Sequence, residues 1–136
     1  MQFDTKIALA LRADLPVWQK LNVAAFLASG ITGSDPALLG EPYQDASGNQ
    51  YLRMVRQPML VFAADATDLA RAHARGLERG VRMAVYIEPM FSTGHDAANR
   101  ETVAARQASD LPLVGIALHD ERKLVDKVLK GLKLHP

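Results

Sequence analysis

Side chains placed to do chemistry fall in a few short stretches of this sequence. Asn22 is a polar residue between Leu21 and Val23, followed by Ala24-Ala25-Phe26. An amide in that company must be satisfied by backbone, by another side chain or by a ligand, and it offers both a donor and an acceptor. Glu88 closes the most hydrophobic run, Val81 to Ile87, in which no charge follows Arg82. A carboxyl there can give or take a proton, and partial burial would raise its pKa toward the useful range. Ser92-Thr93-Gly94-His95-Asp96 sets two hydroxyls, a glycine and an imidazole ahead of a helix start, whose free N–H groups favour anions. Glu88, His95 and Asn22 are the candidate catalytic residues. Ser92, Thr93, Asn99, Tyr43 and Arg53 are the candidate ligand-binding residues.

Each has a plainer reading beside it. Asn22 could bond a nearby loop, and Glu88 could be a solvated strand end. Ser92, His95 and Asp96 are too close in sequence for triad geometry. Thr93 with Asp96 three residues on reads as a helix cap. His73, His95, His119 and His135 lack ligand spacing, so no metal and no cofactor are expected. Arg71, Arg75 and Arg79 recur at i, i+4, i+8, and the last helix adds Arg122, Lys123, Lys127, Lys130 and Lys133. Such a stripe can meet phosphates, but a solvated face with Glu78 interleaved explains it more simply.

The elements that must position these residues follow from pattern. Residues 6–12, KIALALR, read as a buried strand. Asp14 and Pro16 open a helix with apolar Val17, Leu21, Ala24, Ala25 and Ala28, which Gly30 stops. Residues 31–57 hold Gly33, Pro36, Gly40 and Pro42, which forbid a long element; within them Tyr43–Arg53 reads as a hairpin turning at Ser47-Gly48-Asn49. Residues 58–63 form a strand, Asp65 or Thr67 caps a helix closed by Gly80, and 82–88 form a strand expected at the sheet centre. A helix covers about 97–108 and a strand 113–118; a last helix from Asp120 buries Leu124, Val128 and Leu132. Alternating strands and helices predict a three-layer α/β/α domain over 1–136 with a four-stranded mixed sheet.

The chain has 136 residues, 49% hydrophobic and 23% charged, with a formal net charge of +1. That balance supplies no global attraction to nucleic acid or an anionic membrane. Cys is absent, which removes disulfides, thiolate metal sites and a Cys nucleophile. The first apolar run is too short, and too acidic at its start, for a signal peptide, and no stretch approaches a membrane span. A cytoplasmic protein is expected.

Several strings carry a family resemblance. Lys6-Ile7-Ala8-Leu9-Ala10-Leu11-Arg12-Ala13-Asp14-Leu15, Val23-Ala24-Ala25, Val114-Gly115-Ile116, Leu124-Val125-Asp126-Lys127-Val128 and Leu132-Lys133-Leu134 resemble, in this order, the class II peptidyl-tRNA hydrolases. Leu21 to Gly30 and Met90 to Arg100 more closely resemble a bacterial family known as a domain of unknown function (number 2000), thought to share that fold. The resemblance implies a peptidyl-tRNA hydrolase II-like fold. It implies little activity, because the hydrolases carry Lys-Val-Ala-Ala-Gln with a catalytic Lys, where this chain has Asn22 and Phe26. They carry Asp-Ala-Gly-Arg-Thr-Gln where this chain has Glu88-Pro89-Met90-Phe91-Ser92-Thr93. A neutral amide does not replace an ammonium that stabilises an oxyanion.

The expected function is binding of a small molecule or nucleotide-like ligand in a cleft beyond the strand ends, whether or not catalysis follows. A divergent hydrolase is an alternative, with tRNA a disfavoured partner; so is a non-catalytic interaction protein. A homodimer is expected.

Overall fold

In the computed structural model, which describes residues 3–136, each of the four apolar runs expected to be a strand becomes one. Along the chain lie β1 (Thr5–Arg12), α1 (Val17–Ser34), a hairpin of β2 (Tyr43–Gln44) and β3 (Gln50–Tyr51), and β4 (Met59–Ala64). Next come α2 (Ala66–Glu78), β5 (Met83–Ile87), α3 (Asp96–Ala104), β6 (Leu113–Glu121), α4 (Arg122–Val128) and β7 (Lys133–Leu134). The fold is mixed α/β, with four α-helices among the described residues and a five-stranded sheet in the order β5-β6-β1-β4-β7. β1 and β4 are parallel; β1–β6, β5–β6 and β4–β7 are antiparallel.

Two expectations are corrected here. The sheet has five strands rather than four, because Lys133-Leu134 returns along β4 after the last helix. The strand at 82–88 is not central: β5 is the edge, bonded to β6 alone among the described residues.

Both faces of β1 are covered, which is why Ile7 to Leu11 are all apolar. On one face α1 buries Val23, Leu27 and Ile31 against Ile7, Leu9 and Leu11. On the other, α2 and α4 bury Leu69, Ala72, Val125 and Val128 against Ala8, Ala10, Ile116 and Leu118. The β5–β6 register slips between Tyr86 and Ile87, opposite Gly115 and Leu113, and Val114 is the extra residue of this bulge. The bulge sends Val114 and Gly115 toward α1 together. A Cβ at Gly115 would lie 2.7 Å from Val23 Cγ1, so this glycine sets how closely α1 can sit.

Element ends differ from the expectation in places. α1 runs through Gly30 to Ser34, with Gly30 packed against Ala84. Asp14 does not cap α1; it accepts from Arg12 Nε at 2.7 Å. Asp65, not Thr67, caps α2, accepting from the Asp68 N–H at 2.7 Å. The hairpin turns as expected, organised by Asp45, which accepts from the Ser47 and Asn49 N–H groups and from the Tyr51 hydroxyl. Bonds from the Asn49 and Tyr51 side chains hold the Asp45 carboxyl down at about 2. No helix among the described residues is long and apolar enough to cross a membrane.

Candidate functional site

The helical period separates two faces of α1. Val23, Leu27 and Ile31 point into the core, while Trp18, Asn22 and Phe26, also four residues apart, line a cleft. The far wall comes from α3 and the turn before it, and the floor from Ala84, Val85 and Tyr86 of β5. The cleft holds about 870 Å³, within the range of about 300–1,000 Å³ usual for small-molecule sites. It runs alongside the sheet edge, not beyond the strand ends.

Aromatic rings make the apolar wall. Trp18 meets Phe91 edge-on at 6.0 Å, Phe91 meets Tyr86 at 5.1 Å, and Tyr86 meets Phe26 at 6.0 Å. Tyr86 is only 5% exposed, against 61% for Trp18 and 54% for Phe26. No hydrogen bond to the Tyr86 hydroxyl occurs among the described residues, and burial raises its pKa above the ordinary phenol value. A phenol so placed stays neutral at pH 7 and can both donate and accept.

The polar rim is built by the turn Glu88–Ser92 and the first turns of α3. Pro89 lies in the first turn of that 3₁₀ segment, where its lack of an N–H is harmless. Met90 Sδ accepts from the Ile87 N–H at 3.4 Å. The Thr93 hydroxyl donates to the Met90 carbonyl at 3.0 Å and lies against the Asn99 side-chain oxygen, tying the turn to α3. His95, rather than Thr93 or Asp96, caps α3: its Nδ1 accepts from the Ala98 N–H at 3.2 Å. With Nδ1 accepting, Nε2 is the ring nitrogen left to donate to another partner. Asp96 pairs with Arg100 one turn on.

The structure brings Asn22, Thr93, His95 and Asn99 to one cleft. Asn22 is exposed there, so no burial forces a partner on it. Glu88 does not join them. Its side chain is 61% exposed and 3.5 Å from Arg12 Nη1. The desolvated setting that would prepare it for proton transfer is absent, because the chain turns at Pro89 and carries the carboxylate outward. Ser92 is exposed and outside the lining. Tyr43 and Arg53 stand with the separate hairpin sheet, Arg53 donating to the Gly40 carbonyl at 2.8 Å.

A family model described as protein of unknown function (DUF2000) matches residues 5–136. The chain belongs to the DUF2000 family. It is similar to a solved structure of a protein of unknown function from Agrobacterium tumefaciens, at 51% identity and a TM-score of 0.97, covering 99% of this chain and 100% of that one. No curated protein matches it. Neither the DUF2000 model nor the solved structure names an activity.

Sequence reasoning overlooked the aromatic wall of the DUF2000 cleft. Trp18, Phe26, Tyr86 and Phe91 lie far apart in sequence, and only their meeting in space makes a site. One signal was available: Trp18 and Phe26 share a helical face with Asn22, and it is not the face of Val23 and Leu27.

Proposed function

We propose that this chain binds a small organic molecule, nucleotide-like in having a flat apolar part and a polar part, in the cleft between α1, β5 and α3. The observation that carries the reading is Tyr86. Its ring is 5% exposed in the wall of a cavity, and its hydroxyl meets solvent there rather than a partner among the described residues, so a ligand group can take the place of that water. Phe26 and Phe91 hold its ring, and Asn22, His95 and Asn99 offer polar contacts at the rim.

The hydrolase reading has less support. Asn22 stands on the cleft where that chemistry would want an ammonium, no lysine lines the cavity, and Arg100 is engaged by Asp96.

A thermal-shift screen against metabolites, nucleotides and tRNA tests the proposal. A ligand at a hundredfold excess over its Kd adds about 2.7 kcal/mol to stability, which for a chain of this size raises Tm by about 10 °C. The effect should vanish in Phe91→Ala and should need roughly tenfold more ligand in Tyr86→Phe. A panel that leaves Tm unmoved, or a hit indifferent to both substitutions, sinks the reading.

A further inference from the structure

The floor of the cleft is a strand edge, and its backbone has recognition chemistry of its own. β5 pairs with β6 and with no other strand among the described residues. In an antiparallel pair, residues alternate between those whose N–H and C=O face the neighbour and those whose groups face away. The His119 N–H donates to the Arg82 carbonyl at 3.2 Å. With Ala84 opposite Ala117 and Tyr86 opposite Gly115, Arg82, Ala84 and Tyr86 face β6. Met83, Val85 and Ile87 then face outward. The Ile87 N–H on Met90 Sδ fixes the same phase independently.

Of the outward residues, Ile87 is engaged and Met83 lies in a smaller neighbouring cavity beside Asp35 and His119. Of these three, Val85 lines the aromatic cleft, and among the described residues neither its N–H nor its C=O has a partner, which sets one donor beside one acceptor. Phe91 and Tyr86, in contact with each other, line the same cleft.

We propose that the cleft takes a planar heteroaromatic ring bearing a hydrogen-bond donor beside an acceptor on one edge. That edge pairs with the Val85 carbonyl and N–H, and the ring face packs against Phe91 and Tyr86. Cyclic amides and amidines fused to a second ring are the chemical class. The inference deepens the small-molecule reading and rests on it. A ring suits the site better than an extended peptide, which needs several outward residues in a row; here Met90 stops the row at Ile87. Both Val85 groups lie where an apolar ligand would strip their water, so only a ligand that replaces those bonds gains fully from the contact.

The test compares quinazolin-4-one with its 3-methyl derivative, which keeps the ring face but loses the donor, in titrations of ¹⁵N-labelled protein. The parent should bind about tenfold tighter, move the Val85 amide proton downfield and slow its exchange. Equal affinities, with shifts at Phe91 and Tyr86 but none at the Val85 amide, would overturn the edge pairing and leave small-molecule binding standing. If neither compound, nor naphthalene as an edge-free ring, perturbs any cleft residue, both readings fall. A blocked extended tripeptide that protects the Met83 and Val85 amides while the rings do not would also overturn the proposal, since the edge would then be a strand acceptor.

Discussion

Tyr86 and Glu88, two residues apart, meet opposite environments. The phenol is held in the cleft wall by Phe26 and Phe91. The carboxylate leaves the sheet with the turn at Pro89 and reaches solvent beside Arg12. Exposed ion pairs contribute at most about 1 kcal/mol. Glu88→Gln should therefore shift stability by less than that in a urea titration and leave ligand affinity in the cleft unchanged. A several-fold loss of affinity would show that the carboxylate reaches the ligand after all. At this scale the sequence was half legible. Asn22, Thr93, His95 and Asn99 stood out because polar groups are conspicuous beside apolar runs. Tyr86 did not, because an aromatic residue in a strand reads as core, and nothing local reveals that its hydroxyl lacks a partner.

Among the elements, β5 shows why apolar composition misleads about position. Its run without charge reflects coverage on both faces, Tyr86 against α1 and Ile87 against the α2–α4 side. Coverage says nothing of how many strands lie beside it, so an edge strand read as a central one. β7 escaped notice because two residues carry no period. Strand starts and helix identities were legible; caps only in part, since Asp65 caps α2 as one of the two residues expected, while an imidazole took the role expected of Thr93. The close seating of α1 on β6 gives a direct prediction. Gly115→Ala places a methyl 2.7 Å from Val23 Cγ1 and 3.0 Å from Leu27 Cδ1, and overpacking of this kind costs about 1–3 kcal/mol. Gly33→Ala, also within α1 but with nothing inside 4 Å, should instead stabilise by about 0.5–1 kcal/mol. Chemical denaturation of the two variants should give opposite signs; a harmless Gly115→Ala would mean that α1 can lift off the sheet freely.

Across the whole molecule, two buried histidines tie stability to pH. His119 is 4% exposed and His73 6%. Burial lowers the pKa of both below 6.5; for His119, Arg82 adds to the effect while Asp35 and Asp120 oppose it. Below about pH 6.5 the unfolded chain therefore binds more protons than the folded one, and stability falls as acid is added. It is fully present above that value and declines until the lower, folded values are passed. The melting temperature should drop between about pH 7 and pH 5.5, and His119→Gln should flatten the drop; a Tm that rose on acidification would contradict the burial of both rings. The two sides of the sheet also differ in a way that bears on handling. β7 blunts the β4 side, whereas nothing pairs with the outer side of β5 among the described residues. An unpaired strand side is a template for another chain. On the proposed reading, a ligand seated along Val85 would also cover that strand side and guard it against self-templated aggregation.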